Sequence, residues 1–152
     1  MKEKILIVED SRTFRNYLYQ QFKNEGYDVE TAESVAEAQV ILEQETNFLC
    51  AVLDYCLPDG QDGEIIDLVL SYQQKVIVLT RIFNNTLREE VLAKGVIDYI
   101  LKDNFSPVSY LLPLVKRISN NRNHKALVVD DSTVVRRYIC LLYTSPSPRD
   151  TR

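Results

Sequence analysis

Short, almost purely apolar runs, separated by longer stretches of helical periodicity, constrain this chain more than any other feature. Ile5-Leu6-Ile7-Val8 is the first run, and 49–53, Val76-Ile77-Val78-Leu79 and Tyr99-Ile100-Leu101 follow it. Runs of this length and β-branched content, bounded by turn residues, read as strands covered on both faces. A weaker alternation over 28–32 predicts one more strand. Between the strands, Phe14, Tyr17, Leu18 and Phe22 recur at helical spacing and Gly26 closes that helix. Ser34 and Glu37 form a capping box ahead of Ala38, Ile41 and Leu42. A third helix is expected over 65–72. A fourth carries Leu87, Val91 and Leu92 and ends at Gly95. The last carries Val108, Leu111, Leu112, Val115 and Ile118. Pro113 falls inside that last pattern, so the helix should either start late or kink. Five strands alternating with five helices predict an α/β domain. Its sheet is five-stranded, parallel and doubly wound, with right-handed crossovers placing helices on both sides.

Composition narrows the function classes. The net charge of -4 and the lack of a Lys/Arg run speak against a nucleic-acid surface. Cys50, Cys56 and Cys140 have neither metal-like spacing nor the even count of a disulfide framework, so they read as reduced thiols. The first apolar run stops at Val8, too early for a signal peptide, and no run reaches membrane-spanning length. A soluble, cytoplasmic protein without a membrane partner is expected.

At 152 residues the chain has room for one domain and a remainder. The first domain is expected over 1–119. A polar, asparagine-rich linker over 120–124 carries His124, read as a solvated side chain. The chain then repeats itself. Lys125-Ala126-Leu127-Val128-Val129-Asp130-Asp131-Ser132 mirrors Lys4-Ile5-Leu6-Ile7-Val8-Glu9-Asp10-Ser11, and Arg136 and Tyr138 keep the register of Arg15 and Tyr17. Such a repeat marks a tandem array, with 125–142 as the start of a second, truncated copy. The stretch 143–152 has no apolar periodicity and contains Pro146 and Pro148; it reads as a non-native tail.

The chemistry collects where the strands end. The first strand runs into Glu9-Asp10, the third into Asp54, the fourth into Thr80 and the fifth into Lys102. In a parallel sheet these ends share one edge, and open α/β sheets bind ligands in the crevice there. Each residue alone has a structural explanation, such as a helix cap or a solvated lysine. Four of five strands delivering ionisable or hydroxyl groups to one edge is a different matter. Clustered carboxylates need a cation. Hard oxygen ligands suit Mg²⁺, which is usually held by one or two carboxylates plus phosphate oxygens. A carboxylate can also act as a nucleophile and form an aspartyl phosphate. The set therefore points to phosphoryl transfer onto a carboxylate, with charge from Mg²⁺ and Lys102 and a hydrogen bond from Thr80.

The chain resembles the receiver domains of bacterial two-component response regulators over about 4–118, with a second receiver beginning at Lys125. The motifs are Ile7-Val8-Glu9-Asp10-Ser11, Asp54-Tyr55-Cys56-Leu57-Pro58-Asp59-Gly60, Val78-Leu79-Thr80, and Gly95 followed by Asp98-Tyr99-Ile100-Leu101-Lys102-Asp103. The resemblance implies a flavodoxin-like fold with Asp54 as phosphoacceptor. It implies Mg²⁺ held by Glu9, Asp10, Asp54 and the backbone carbonyl of Cys56, and a phosphate paired with Lys102. Thr80 would rotate toward the phosphate and Tyr99 turn inward behind it. The donor would be a histidine kinase or a histidine phosphotransfer protein, and a receiver–receiver dimer is a further partner the resemblance allows. Tandem receivers at a chain's start resemble those preceding a diguanylate cyclase domain.

Three departures stand out. Arg81 occupies a position where receivers usually carry a small residue, the loop after Pro58 is one residue longer than common, and Asp103 replaces a frequent proline. A phosphorylation-silent interaction module of the same shape is the alternative, with Arg81 its only support. An aspartate-nucleophile phosphatase would place two aspartates one residue apart after the first strand, which this chain does not. A dinucleotide-binding fold is disfavoured by four glycines and no Gly-x-Gly-x-x-Gly.

Overall fold

The computed structural model describes residues 1–103, 107–125, 127, 129 and 131–143, without the side chains of 139 and 141–143. Five parallel strands, β1 (Lys4–Val8), β2 (Asp28–Ala32), β3 (Cys50–Asp54), β4 (Val76–Thr80) and β5 (Asp98–Leu101), form one sheet in the order β2-β1-β3-β4-β5. Between and after them lie α1 (Arg12–Asn24), α2 (Val35–Gln44), α3 (Glu64–Ser71), α4 (Asn85–Ala93) and α5 (Val108–Asn121).

The continuous apolar strands are explained by two cores, one on each face. Alternate strand residues point to opposite faces. Leu6, Val8, Ala51, Leu53, Val76 and Val78 pack against Leu42, Ile65, Ile66, Val69 and Val91. Ile5, Ile7, Cys50, Val52, Ile77 and Leu79 pack against Leu18, Phe22, Leu111, Val115 and Ile118. Helices α1 and α5 thus cover one face and α2, α3 and α4 the other. The expected flavodoxin-like, doubly wound α/β sheet is the observed one.

Strand order fixes where a site can form. From β1 the chain moves outward to β2 and then returns past β1 to β3, so the winding direction reverses between β1 and β3. A crevice opens at such a switch point, beyond the carboxyl ends of the strands.

Local chemistry explains the element boundaries. The Ser11 hydroxyl accepts from the amide of Phe14, at 3.4 Å, and caps α1. At α2 the Ser34 hydroxyl accepts from the Glu37 amide at 3.2 Å. In return the Glu37 carboxylate accepts from the amide of Glu33, at 3.0 Å, one residue before the cap. Gly95 ends α4 at φ 98°, a left-handed conformation that a side chain would penalise.

Several boundaries differ from the sequence expectation. Strand β3 spans Cys50–Asp54 rather than 49–53, and β4 extends to Thr80, so both chemical residues are the last of their strands. Helix α3 begins and ends one residue earlier than expected. Helix α5 starts at Val108, five residues ahead of Pro113, and continues through it. It does not start late; the helix tolerates one missing ladder bond because Leu111, Leu114, Val115 and Ile118 on both sides of the proline are buried.

Helix α5 also runs two residues into the polar stretch read as a linker. Glu3 holds it there: its carboxylate accepts from Ser119 at 2.5 Å and pairs with Arg122 at 3.1 Å. Beyond the turn, α6 (Thr133–Tyr143) packs on α5, where the repeat predicts a helix. Of the repeated apolar run, Leu127 and Val129 are exposed, and Ala126, Val128 and Asp130 lie outside the described residues. The stretch 144–152, read as a tail, lies outside them too.

Candidate functional site

Strands β3 and β4 end in Asp54 and Thr80 at the crevice, and the residues just after β1 and β5 deliver Glu9 and Lys102. Glu9, Asp54 and Thr80 are 2%, 8% and 1% exposed, rare burial for two acids. Glu9, Asp10 and Asp54 each offer a carboxylate oxygen within 4.8 Å of the others. The Lys102 ammonium lies 2.5 Å from Glu9 Oε2 and 3.2 Å from Asp54 Oδ2. It also stands 4.9 Å from the centroid of the Phe14 ring, within cation–π range. Lys102, nearly as buried as the acids it faces, is their principal counter-charge.

Backbone amides complete the anchoring. Ser11 N–H donates to Glu9 Oε1 at 3.1 Å, and Cys56 N–H donates to Asp54 Oδ1 at 3.3 Å. Even so, burial dominates. Desolvation lifts the Glu9 pKa to about 7 against the pull of Lys102. Burial also raises Asp54, again opposed by Lys102. Three carboxyl groups share this pocket, and Lys102 pairs with two of them; once Glu9 ionises, the site carries excess negative charge on hard oxygen donors. That donor set fits Mg²⁺.

Thr80 and Tyr99 meet at the backbone of one residue, Ile82. The Thr80 hydroxyl accepts from the Ile82 amide at 3.1 Å, while the Tyr99 hydroxyl donates to the Ile82 carbonyl at 2.8 Å. Tyr99 is already turned inward, at 8% exposure. Burial raises its pKa. Its neighbour Asp98 accepts from the Tyr99 amide and from the Tyr110 hydroxyl, both at 2.8 Å.

The loop after Asp54 is fastened at several points. Leu57 and Gly60 exchange backbone hydrogen bonds at 3.1 Å. A Cβ on Gly63 would come within 2.5 Å of the Tyr55 ring, so the loop closes there only with glycine. The Asp59 carboxylate accepts from the amides of Val35 at 2.8 Å and Ala36 at 3.0 Å. Together Asp59 and Ser34 satisfy the first three amides of α2. Those two backbone bonds hold the Asp59 carboxyl below its ordinary value. Asp59→Ala is expected to lower the melting temperature by a few degrees at pH 7. A depressed carboxylate stabilises above its unfolded pKa, so the wild-type advantage should shrink as pH falls through the acid range. A thermal melt series from pH 3 to 7 checks it.

Cys56 is exposed, and its thiol donates to the Gln61 carbonyl at 3.6 Å. Burial and then Asp54 raise its pKa, so it stays a neutral thiol. Arg81 is exposed. The structure brings Glu9, Asp10, Asp54, Thr80 and Lys102 to one edge, with Tyr99 behind Thr80 and Cys56 bound to Asp54 through its amide. Sequence reading missed Phe14, Arg15 and Asp59, whose contacts cross between elements. For Arg15 a signal existed in the sequence, because Arg136 stands five residues past Asp131 as Arg15 does past Asp10.

The model of the response regulator receiver domain matches residues 5–108. The transcriptional regulatory protein SrrA of Staphylococcus aureus is 32% identical over 113 residues, covering 74% of this chain and 46% of that protein. The chain thus spans about half the length of the curated relatives it matches. A probable two-component system response regulator/GGDEF domain protein superposes with a TM-score of 0.80 at 32% identity, over 95% of this chain and 60% of that one. The beryllofluoride-activated NtrC4 receiver domain dimer gives 0.66 at 29% identity, over 74% and 93%. By fold, by the acidic pocket at its switch point and by these likenesses, the chain belongs to the response regulator receiver domain family.

Proposed function

We propose that the chain takes a phosphoryl group onto Asp54 from the phosphohistidine of a histidine kinase or histidine phosphotransfer protein. The observation that carries this reading is Asp54 itself: a buried carboxylate ending the central strand, 3.2 Å from an ammonium and beside two further acids. One Asp54 oxygen attacks phosphorus as the P–N bond to the donor imidazole breaks. The electron pair leaves on the imidazole nitrogen, which then takes up a proton. Lys102 exchanges a carboxylate partner for a phosphoryl oxygen and neutralises part of its charge. Glu9, Asp10, Asp54 and the Cys56 carbonyl are the groups that would hold Mg²⁺. When bound, the ion supplies charge neutralisation for the phosphoryl oxygens.

The hydroxyl of Thr80 then turns from the Ile82 amide to the new phosphoryl oxygen, and Tyr99 holds the Ile82 carbonyl from the other side. A local change of charge thereby biases the loop between β4 and α4, a two-state element. The domain is a regulatory phosphoacceptor whose chemistry is self-catalysed transfer and autodephosphorylation. Among the described residues no helix is long and apolar enough to cross a membrane. We place the domain in the cytoplasm, as the regulatory part of a longer protein with a second receiver beginning at Lys125. The likeness to a GGDEF domain protein makes a diguanylate cyclase the favoured output, and the dimeric relative makes receiver–receiver contact the favoured assembly.

Intact mass after incubation with acetyl phosphate tests this. One added phosphoryl group, absent without Mg²⁺, supports it; an unchanged mass under both conditions overturns it in favour of a silent interaction module. Arg81 is exposed, so water and salt weaken its pull on the pocket. Arg81→Ala is expected to phosphorylate within about threefold of wild type at about 0.15 M salt. A tenfold acceleration would instead make Arg81 a barrier at the site.

A further inference from the structure

Adjacent residues of an extended strand point to opposite faces of the sheet. Glu9 and Asp10 are adjacent, yet both carboxylates reach the same pocket, together with Asp54. The backbone must therefore bend between β1 and α1, and something must hold the bend. The hydrogen bonds identify it. Glu9 N–H still pairs with the Ala32 carbonyl, as in the sheet, at 3.0 Å. The Ser11 carbonyl already accepts the first α1 bond, from Arg15 N–H at 2.8 Å. The Glu9 and Asp10 carbonyls lie between these two ladders. Both accept from one nitrogen of the Arg15 guanidinium, at 2.8 and 3.4 Å.

The other terminal nitrogen of Arg15 pairs with the Glu33 carboxylate at 3.4 Å, beside α2. The Arg15 side chain is only 14% exposed. Lys102, not Arg15, faces the Glu9 carboxylate. Arg15 thus acts on the backbone of the acidic pair and leaves the charge balance of the pocket to Lys102. A planar guanidinium can serve two carbonyls and a carboxylate at once, which an ammonium cannot do with the same fixed geometry. The sequence repeats this spacing, with Arg136 five residues past Asp131 as Arg15 is five past Asp10.

We infer that Arg15 is a positioning residue for the divalent cation site: it clamps the carbonyls of Glu9 and Asp10 so that both carboxylates face Asp54. The inference rests on the phosphoacceptor reading and extends it to a residue that touches neither metal nor phosphate. Supporting groups of this kind are worth about 10- to 100-fold in metal affinity.

The experiment is an Mg²⁺ titration followed by the amide resonances of Ser11 and Cys56, with a thermal melt of each metal-free variant. Arg15→Met is expected to raise the Mg²⁺ concentration for half-saturation about tenfold. Arg15→Lys, which keeps the charge but not the fork, should fall between Arg15→Met and wild type. Glu33→Gln should weaken binding about two- to threefold by loosening the guanidinium. A merely structural arginine would lower the melting temperature and leave the half-saturation point where it was. Wild-type affinity in Arg15→Met overturns the inference. If that variant does not fold, wild-type affinity in both Arg15→Lys and Glu33→Gln overturns it. Failure of the wild type itself to bind Mg²⁺ sinks the underlying reading instead, so the two failures are distinguishable.

Discussion

Incubated with acetyl phosphate and Mg²⁺, Asp54→Asn is expected to gain no phosphoryl mass where the wild type gains one. The substitution keeps the shape of the side chain and its acceptor oxygen for the Cys56 amide. It removes the anionic oxygen that must form the bond to phosphorus, so the loss is complete rather than partial. It also removes one of the two carboxylates that pair with Lys102. The fold should survive, because burial had already raised the Asp54 pKa and a neutral amide needs no such desolvation. A folded Asp54→Asn protein that still gains one phosphoryl group would place the acceptor elsewhere. Peptide mapping of the borohydride-reduced adduct would then locate it.

The second large effect concerns stability. Burial lifts Glu9 to about 7 in the fold, against an ordinary value of 4.5. A group whose folded pKa is raised contributes its stability fully below the unfolded value and loses it as pH rises to the folded one. Between pH 4.5 and 7 the unfolded chain releases the Glu9 proton while the folded chain retains it. Metal-free protein should therefore lose up to about 3 kcal/mol across that window through Glu9. Glu9→Gln should flatten that part of the profile, and the difference between the two curves isolates Glu9 from the other acids. Saturating Mg²⁺ should restore stability above pH 7, by about 2.7 kcal/mol at a hundred times its dissociation constant, and do far less at pH 5. Urea titrations at pH 5 and 8, with Mg²⁺ and with chelator, measure all four corners. A wild-type profile parallel to that of Glu9→Gln would show that Glu9 is ionised throughout and that Lys102 neutralises it more strongly than burial opposes it.

The sequence by itself determined the element order, the parallel sheet and the edge at which its chemistry gathers. Each of these follows from periodicity along the chain: an apolar run of strand length, a helical stripe behind it, and the residue at which the run stops. Asp54, Thr80 and Lys102 were legible for that reason. The chain also exposed its own repeat, because Asp131 and Arg136 stand at the same spacing as Asp10 and Arg15.

Tertiary structure alone decided what periodicity does not encode. Asp59 meets α2 across 23 and 24 residues, and Lys102 reaches Glu9 across 93. The ring of Phe14 lies under an ammonium delivered by the segment after β5, and Tyr99 is held inward by a carbonyl 17 residues away. Pro113, which forbids an isolated helix, is carried by the buried residues on either side of it. Arg15 is the sharpest case. In sequence it is one polar residue on an amphipathic helix. Only the turn that folds α1 back over the end of β1 brings its guanidinium to two carbonyls that belong to neither sheet nor helix. Hydrogen bonds between distant elements depend on the docking of whole helices, and that docking is set by the two cores rather than by the residues that form the bonds.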